Sequence, residues 1–240
     1  MNAVSTSPQV EAPPATAFVR SVDLTGPSGR LEGVFNQGAP DAPYAALVCH
    51  PHPRYGGNLH NKVVYHAMKV LNDPEWGFGW PVLRFNFRGT GLSEGTHDGK
   101  AETGDVVAAL DWLRNEIDRP IVLAGFSFGA AMALWACCGP QHEDKNVCAV
   151  AALGLPTHAD DRNYHYAFLR NANQHSSPLA KLFLSGDRDE FAPAAQLAEA
   201  VASAAEPKQL VLIPGADHFF TGQLQPMQQA LASWLMEQLS

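Results

Sequence analysis

The sequence predicts an α/β fold, a doubly wound and mostly parallel sheet opened by an antiparallel hairpin. Three patterns carry that expectation. Short, almost wholly apolar runs recur at residues 44–49, 81–87, 121–124, 148–153, 181–185 and 210–213, at about the spacing of successive βαβ units. Strands that are apolar on nearly every residue are those covered on both faces. Between the runs the apolar period lengthens to that of a helix. Val106, Leu110, Leu113 and Ile117 share one face, and Pro120 stops that helix.

Taken in chain order, residues 1–16 (MNAVSTSPQVEAPPAT) are rich in Pro, Ala and Ser, lack aromatics and read as a loose tail. Residues 17–240 read as a single domain of ordinary length. The runs at 18–24 and 30–35 flank Gly26-Pro27-Ser28-Gly29, a turn signal that makes them a hairpin. A run of small residues, Ala130 to Leu134, follows the strand at 121–124. Leu231, Trp234, Leu235 and Leu239 give the last helix its apolar face behind Pro226. Residues 155–180 are polar and aromatic with weak periodicity. They read as a minimal cap over the C-terminal edge of the sheet, where open α/β folds bind ligands, or as an irregular helix with long loops.

Composition narrows the class. With 46% hydrophobic and 17% charged residues, the chain is neither collagen-like, coiled-coil nor wholly disordered. Sixteen basic residues against 24 acidic give a net charge of −8, which leaves no electrostatic footprint for nucleic acid or an anionic membrane. Cys49, Cys137, Cys138 and Cys148 are too few and too unevenly placed for a disulfide framework, and no C-x-x-C pair points to zinc. No apolar run has the length of a signal peptide or a membrane span. The expectation is a soluble protein of the reducing cytoplasm. Its oligomeric state is not fixed by these observations, and a homodimer stays open.

The strongest chemical signal is Gly125-Phe126-Ser127-Phe128-Gly129, set between a buried strand and a buried helix. A serine on so tight a turn projects its hydroxyl above the sheet, and the flanking glycines let strand and helix approach. A serine hydroxyl needs a base, and the base needs an orienting group. Gly186-Asp187-Arg188-Asp189 and Gly215-Ala216-Asp217-His218 each follow a strand. They therefore fall on the same sheet edge as Ser127, in the order serine, acid, histidine.

These segments, with His50-Pro51-His52-Pro53, Gly56-Gly57-Asn58 and the run from Leu83 to Gly95 (LRFNFRGTGLSEG), resemble the α/β-hydrolase superfamily. Within it they are similar to the small, nearly lidless bacterial serine hydrolases. The likeness covers residues 44 to 239. It implies a hydrolase of carboxylic esters or related acyl bonds, with Ser127 as nucleophile, His218 as base and Asp189 as acid. Asp187, Glu190 and Asp217 are neighbouring carboxylates. The family pattern of glycine, two residues, aspartate and a following proline falls on Gly186, Asp189 and Pro193.

The oxyanion donors expected are the backbone N–H groups of Phe128 and His52, because Pro51 has no N–H to offer. The His52 side chain is left without a role. A metal at the His-x-His pair is not expected, since no third ligand follows at a suitable spacing. Gly89-x-Gly91-x-x-x-Gly95 has one residue too many for a dinucleotide fingerprint and lacks its acidic partner. No metal or organic cofactor is implied. The partner expected is a small-molecule acyl substrate, with neither nucleic acid nor membrane. Peptidase, thioesterase, lactonase and acyltransferase chemistry on the same triad stay open, as does a non-catalytic binding scaffold. A dehalogenase or epoxide hydrolase is the third alternative, and Ser127 argues directly against it, because those carry aspartate at that position.

Overall fold

The computed structural model describes residues 18–139, 146–159, 162–171 and 178–239; the tail at 1–16 lies outside them. Strands β1 (Val19–Gly26) and β2 (Gly29–Asn36) form the hairpin. Gly26 pairs with Gly29, so Pro27 and Ser28 alone make the turn. That is shorter than the four residues read from the sequence, because both glycines complete the ladder.

The chain then alternates. β3 (Ala45–Cys49) leads through a loop to α1 (Lys62–Asn72), and β4 (Val82–Phe85) leads to α2 (Glu102–Glu116). β5 (Ile121–Phe126), α3 (Phe128–Cys138) and β6 (Val147–Leu153) follow. After the two-residue strands β7 (His158–Ala159) and β8 (Arg162–Asn163) come β9 (Ala180–Gly186), α4 (Ala194–Ala202), β10 (Lys208–Ile213) and α5 (Leu224–Leu239). The eight-stranded sheet runs β1-β2-β4-β3-β5-β6-β9-β10. It is parallel from β4 to β10 and antiparallel at the hairpin end.

Each buried strand feeds two cores, because successive side chains point to opposite faces. Leu47, Cys49, Leu123 and Phe183 pack with α2, α3 and α4 on one side. Ala46, Val48, Val122 and Leu184 pack with α1 and α5 on the other. Helix α3 is buried at every residue but Trp135, which is why its sequence is apolar all round rather than amphipathic. Helix α1 is fixed at its start by Asn61, whose side chain accepts the N–H groups of Val63 and Val64.

The described part of 155–180 is joined at its start to the loop after β9, where the Thr157 and His158 N–H groups donate to the Phe191 carbonyl, and packs further on against α3. The pair β7–β8 is followed by a short helical turn at Ala167–Asn171. Phe168 lies on Trp135 of α3 with ring centroids 4.1 Å apart. Leu155, Tyr166, Leu169 and Leu179 join the α3-side core, and the Tyr166 hydroxyl donates to the Pro156 carbonyl. Among its described residues this segment forms no long helix. Among the described residues no helix is long and apolar enough to cross a membrane.

Candidate active site

The C-terminal ends of β5, β6, β9 and β10, four neighbouring strands, meet at one point. Ser127 occupies the turn from β5 into α3 with φ +54° and ψ −121°, a backbone region that costs a non-glycine residue free energy. The turn is possible only between glycines. A Cβ on Gly125 would fall 2.4 Å from the Gly129 carbonyl oxygen, and one on Gly129 would fall 2.4 Å from that of His50. The absence of both Cβ atoms lets α3 sit against the end of β3. The Ser127 N–H donates to the Leu153 carbonyl, which ties the turn to β6.

His218 stands on the loop after β10. Its Nε2 is 2.9 Å from Ser127 Oγ, and its Nδ1 is 2.8 Å from Asp189 Oδ2 and 3.0 Å from Oδ1. A carboxylate only accepts, so Nδ1–H donates to Asp189 and the Nε2 lone pair accepts the serine hydroxyl hydrogen. His218 and Asp189 are 4% and 3% exposed, so little water competes for these bonds.

Asp189 is itself held on both oxygens. Oδ1 accepts the N–H groups of Phe191 and Ala192. Oδ2 accepts the hydroxyl of Ser185, a buried residue near the end of β9. The neighbouring carboxylates do other work. Asp187 accepts the Gly215 N–H and so joins the loops after β9 and β10. Asp217 accepts from Phe219 and Thr221, and those backbone bonds, Thr221's first, lower its pKa. Phe191, Phe126 and Phe219 surround the His218 ring at 4.6, 5.1 and 5.1 Å. Of the three, Phe219 is 52% exposed and forms part of the rim.

Opposite lies the loop after β3. The His52 ring packs 4.9 Å from that of Phe128, so this loop and the start of α3 are side by side. Phe128 is the first residue of α3, where a backbone N–H has no intrahelical partner. The His52 Nδ1 accepts the Arg54 N–H and caps the short turn Pro53–Tyr55. That capping is a role for the side chain that sequence reasoning did not find.

His50 is structural. Its Nε2 accepts the Phe87 N–H and its Nδ1–H donates to the Pro51 carbonyl, which locks the ends of β3 and β4 together. Burial pushes its pKa from 6.5 down to about 3. The folded protein therefore holds a neutral ring that the unfolded chain protonates below 6.5. Its contribution to stability is complete above that value and falls as pH drops from 6.5 towards 3, by up to about 1.4 kcal/mol per unit. Denaturant unfolding at pH 7 and pH 5 checks this: the loss is expected to be smaller in His50→Asn. An equal loss in both proteins contradicts it.

The remaining motif residues brace the loops. Arg88 and Asp105 form a buried ion pair, with Nη2 2.6 Å from Oδ1. Asn86 accepts the Leu59 N–H and donates to Glu32. Ser93 donates to the Asn86 carbonyl. The glycine-rich segment after β4 is thus a turn stitched to its neighbours.

An open parallel sheet with a strained serine elbow, a histidine and a buried carboxylate at one edge is the architecture of an α/β hydrolase. Residues 78–234 match the family model for an alpha/beta hydrolase domain, and the chain belongs to that family. It is 36% identical over 222 residues to the uncharacterized protein RP471 of Rickettsia prowazekii, across 89% of this chain and 87% of that one. Among solved structures it is similar to an alpha-beta serine hydrolase homologue from Coxiella burnetii. That match has 31% identity, a TM-score of 0.74 and coverage of 89% and 96% of the two chains. It is also similar to XC6422 of Xanthomonas campestris, described as a serine hydrolase without lid, at 29% identity, TM-score 0.76 and coverage of 91% and 94%. The chain is a hydrolase.

Proposed function

We propose that the protein is a serine hydrolase that cleaves short-chain carboxylic esters or closely related acyl bonds through an acyl-enzyme on Ser127. The observation that carries this reading is the unbroken hydrogen-bond chain from Asp189 through His218 to Ser127 Oγ. His218 takes the hydroxyl proton as Ser127 attacks the acyl carbon, then gives it to the leaving alkoxide as the ester bond breaks. Water, deprotonated by the same Nε2, attacks the acyl-enzyme and releases the acid. Asp189 holds the tautomer this needs. The N–H groups of Phe128 and His52 receive the oxyanion, an interaction whose loss costs about 10²–10³ in turnover for each donor. The four cysteines are unpaired, which suits action in the reducing cytoplasm.

Preference for short acyl groups follows from what borders the site. Of the described residues of 155–171, Thr157 and His158 donate to the Phe191 carbonyl and Phe168 lies on α3, and the exposed aromatics nearby are Phe219 and Tyr55. Each methylene that finds apolar contact adds about 0.8 kcal/mol until the pocket is full. With p-nitrophenyl esters of increasing chain length, kcat/KM is expected to peak at roughly C2 to C6, with no jump at the micellar concentration. A continued rise to about C12, or interfacial activation, contradicts an open site.

A further inference from the structure

Two oxyanion donors on separate segments act together only if something fixes one segment against the other. On the backbone side, Gly129 does this by its close approach to the carbonyls of Cys49 and His50. On the side-chain side, three rings close a triangle. His52 and Phe128 lie 4.9 Å apart, His52 and His97 4.6 Å, and His97 and Phe128 5.3 Å. Two of these residues carry the proposed donors. The third comes from the loop between β4 and α2, whose earlier residues Leu92, Ser93 and Glu94 are bonded to β2.

That third ring lies against a buried carboxylate. His97 Nδ1 lies 2.7 Å from Glu102 Oε1, with the two side chains 9% and 0% exposed. Glu102 Oε1 also accepts the Asp98 N–H. The loop passes close to Gly89, at φ +71°, where a Cβ would fall 3.2 Å from the His97 backbone nitrogen. A buried carboxylate and a close backbone approach thus place one imidazole edge-on between the two donor segments, at 67° to the His52 ring and 68° to that of Phe128.

We infer that His97 is a positioning residue for the proposed oxyanion site, acting as the wedge that sets the His52 loop against the first turn of α3. The inference rests on the hydrolase reading above. Because the oxyanion exists only after attack, loosening the wedge acts on kcat and leaves ground-state binding alone.

The test compares His97→Ala with His97→Phe. Both remove the contact with Glu102, and only the second restores a flat ring. His97→Ala is expected to lower kcat on a short ester by up to about 10²-fold, the scale of a misplaced catalytic group, with KM little changed. Inhibition by a trifluoromethyl ketone, whose serine adduct carries the oxyanion, should weaken by the same factor. His97→Phe should recover most of both. Should His97→Ala fail to fold, as judged by circular dichroism and melting, His97→Leu takes its place with the same expectations. Unchanged kcat, a loss confined to KM, or a His97→Phe variant as impaired as His97→Ala overturns the inference. A wild-type protein that hydrolyses no ester and takes no fluorophosphonate overturns the hydrolase reading instead, so the two failures are distinct.

Discussion

Ser127→Ala is expected to abolish ester hydrolysis while the protein stays folded. Alanine keeps the Cβ, so the elbow at φ +54° is no more strained than before. The one side-chain bond lost is that to His218 Nε2, worth about 1 kcal/mol to stability. Turnover, by contrast, loses its nucleophile, and removing the serine of a triad costs on the order of 10⁶ in kcat. Steady-state hydrolysis together with thermal melting separates the two quantities. A folded variant that still turns over at a rate comparable to wild type contradicts the assignment of Ser127.

The acid is expected to show nearly as large an effect, and the hydrogen bonds say why. In Asp189→Asn the side-chain oxygen must stay where Phe191 and Ala192 donate their N–H groups. The amide nitrogen is then forced to the Oδ2 position, 2.8 Å from His218 Nδ1. An N–H there faces the Nδ1–H, and the tautomer that relieves this opposition makes Nδ1 the acceptor, which places the imidazole proton on Nε2 and leaves Ser127 without a base. The loss expected is about 10⁴-fold, the scale on which a wrong imidazole tautomer costs a serine protease. Asp187→Asn is the control. Among the described residues its carboxylate accepts the Gly215 N–H, a bond that the amide oxygen preserves, so activity should hardly move. The reverse ranking of the two variants would place the acid on the wrong residue.

The parallel sheet was legible because burial on both faces leaves strands apolar at every position, as in β3 and β5. The serine, the histidine and the aspartate were legible for a related reason: each follows the C-terminal end of a strand, β5 for Ser127, β9 for Asp189 and the edge strand β10 for His218. What the sequence hid depends on contacts between distant segments. Ser185 is one polar residue near the end of an apolar strand, and only its partner Asp189 gives it meaning. Gly154, whose absent Cβ would fall 3.3 Å from His218 Cε1, carries no motif. The His97–Glu102 contact spans a turn and the start of a helix without a recognisable spacing. Residues 155–180 were ambiguous because their aromatics serve two ends: Tyr166 is buried in the α3-side core, while its hydroxyl closes a loop. Their acidic stretch at Asp160 and Asp161 lies outside the described residues.

The central claim is that one serine, made nucleophilic by His218 and Asp189, forms a covalent acyl intermediate. The most direct measurement is intact and peptide mass spectrometry after reaction with an alkyl fluorophosphonate, which phosphonylates an activated serine with loss of fluoride. One phosphonyl group per chain is expected, located on Ser127, absent from Ser127→Ala and formed far more slowly by Asp189→Asn. A folded wild-type protein that takes up no label, or takes it up at a residue other than Ser127, contradicts the account.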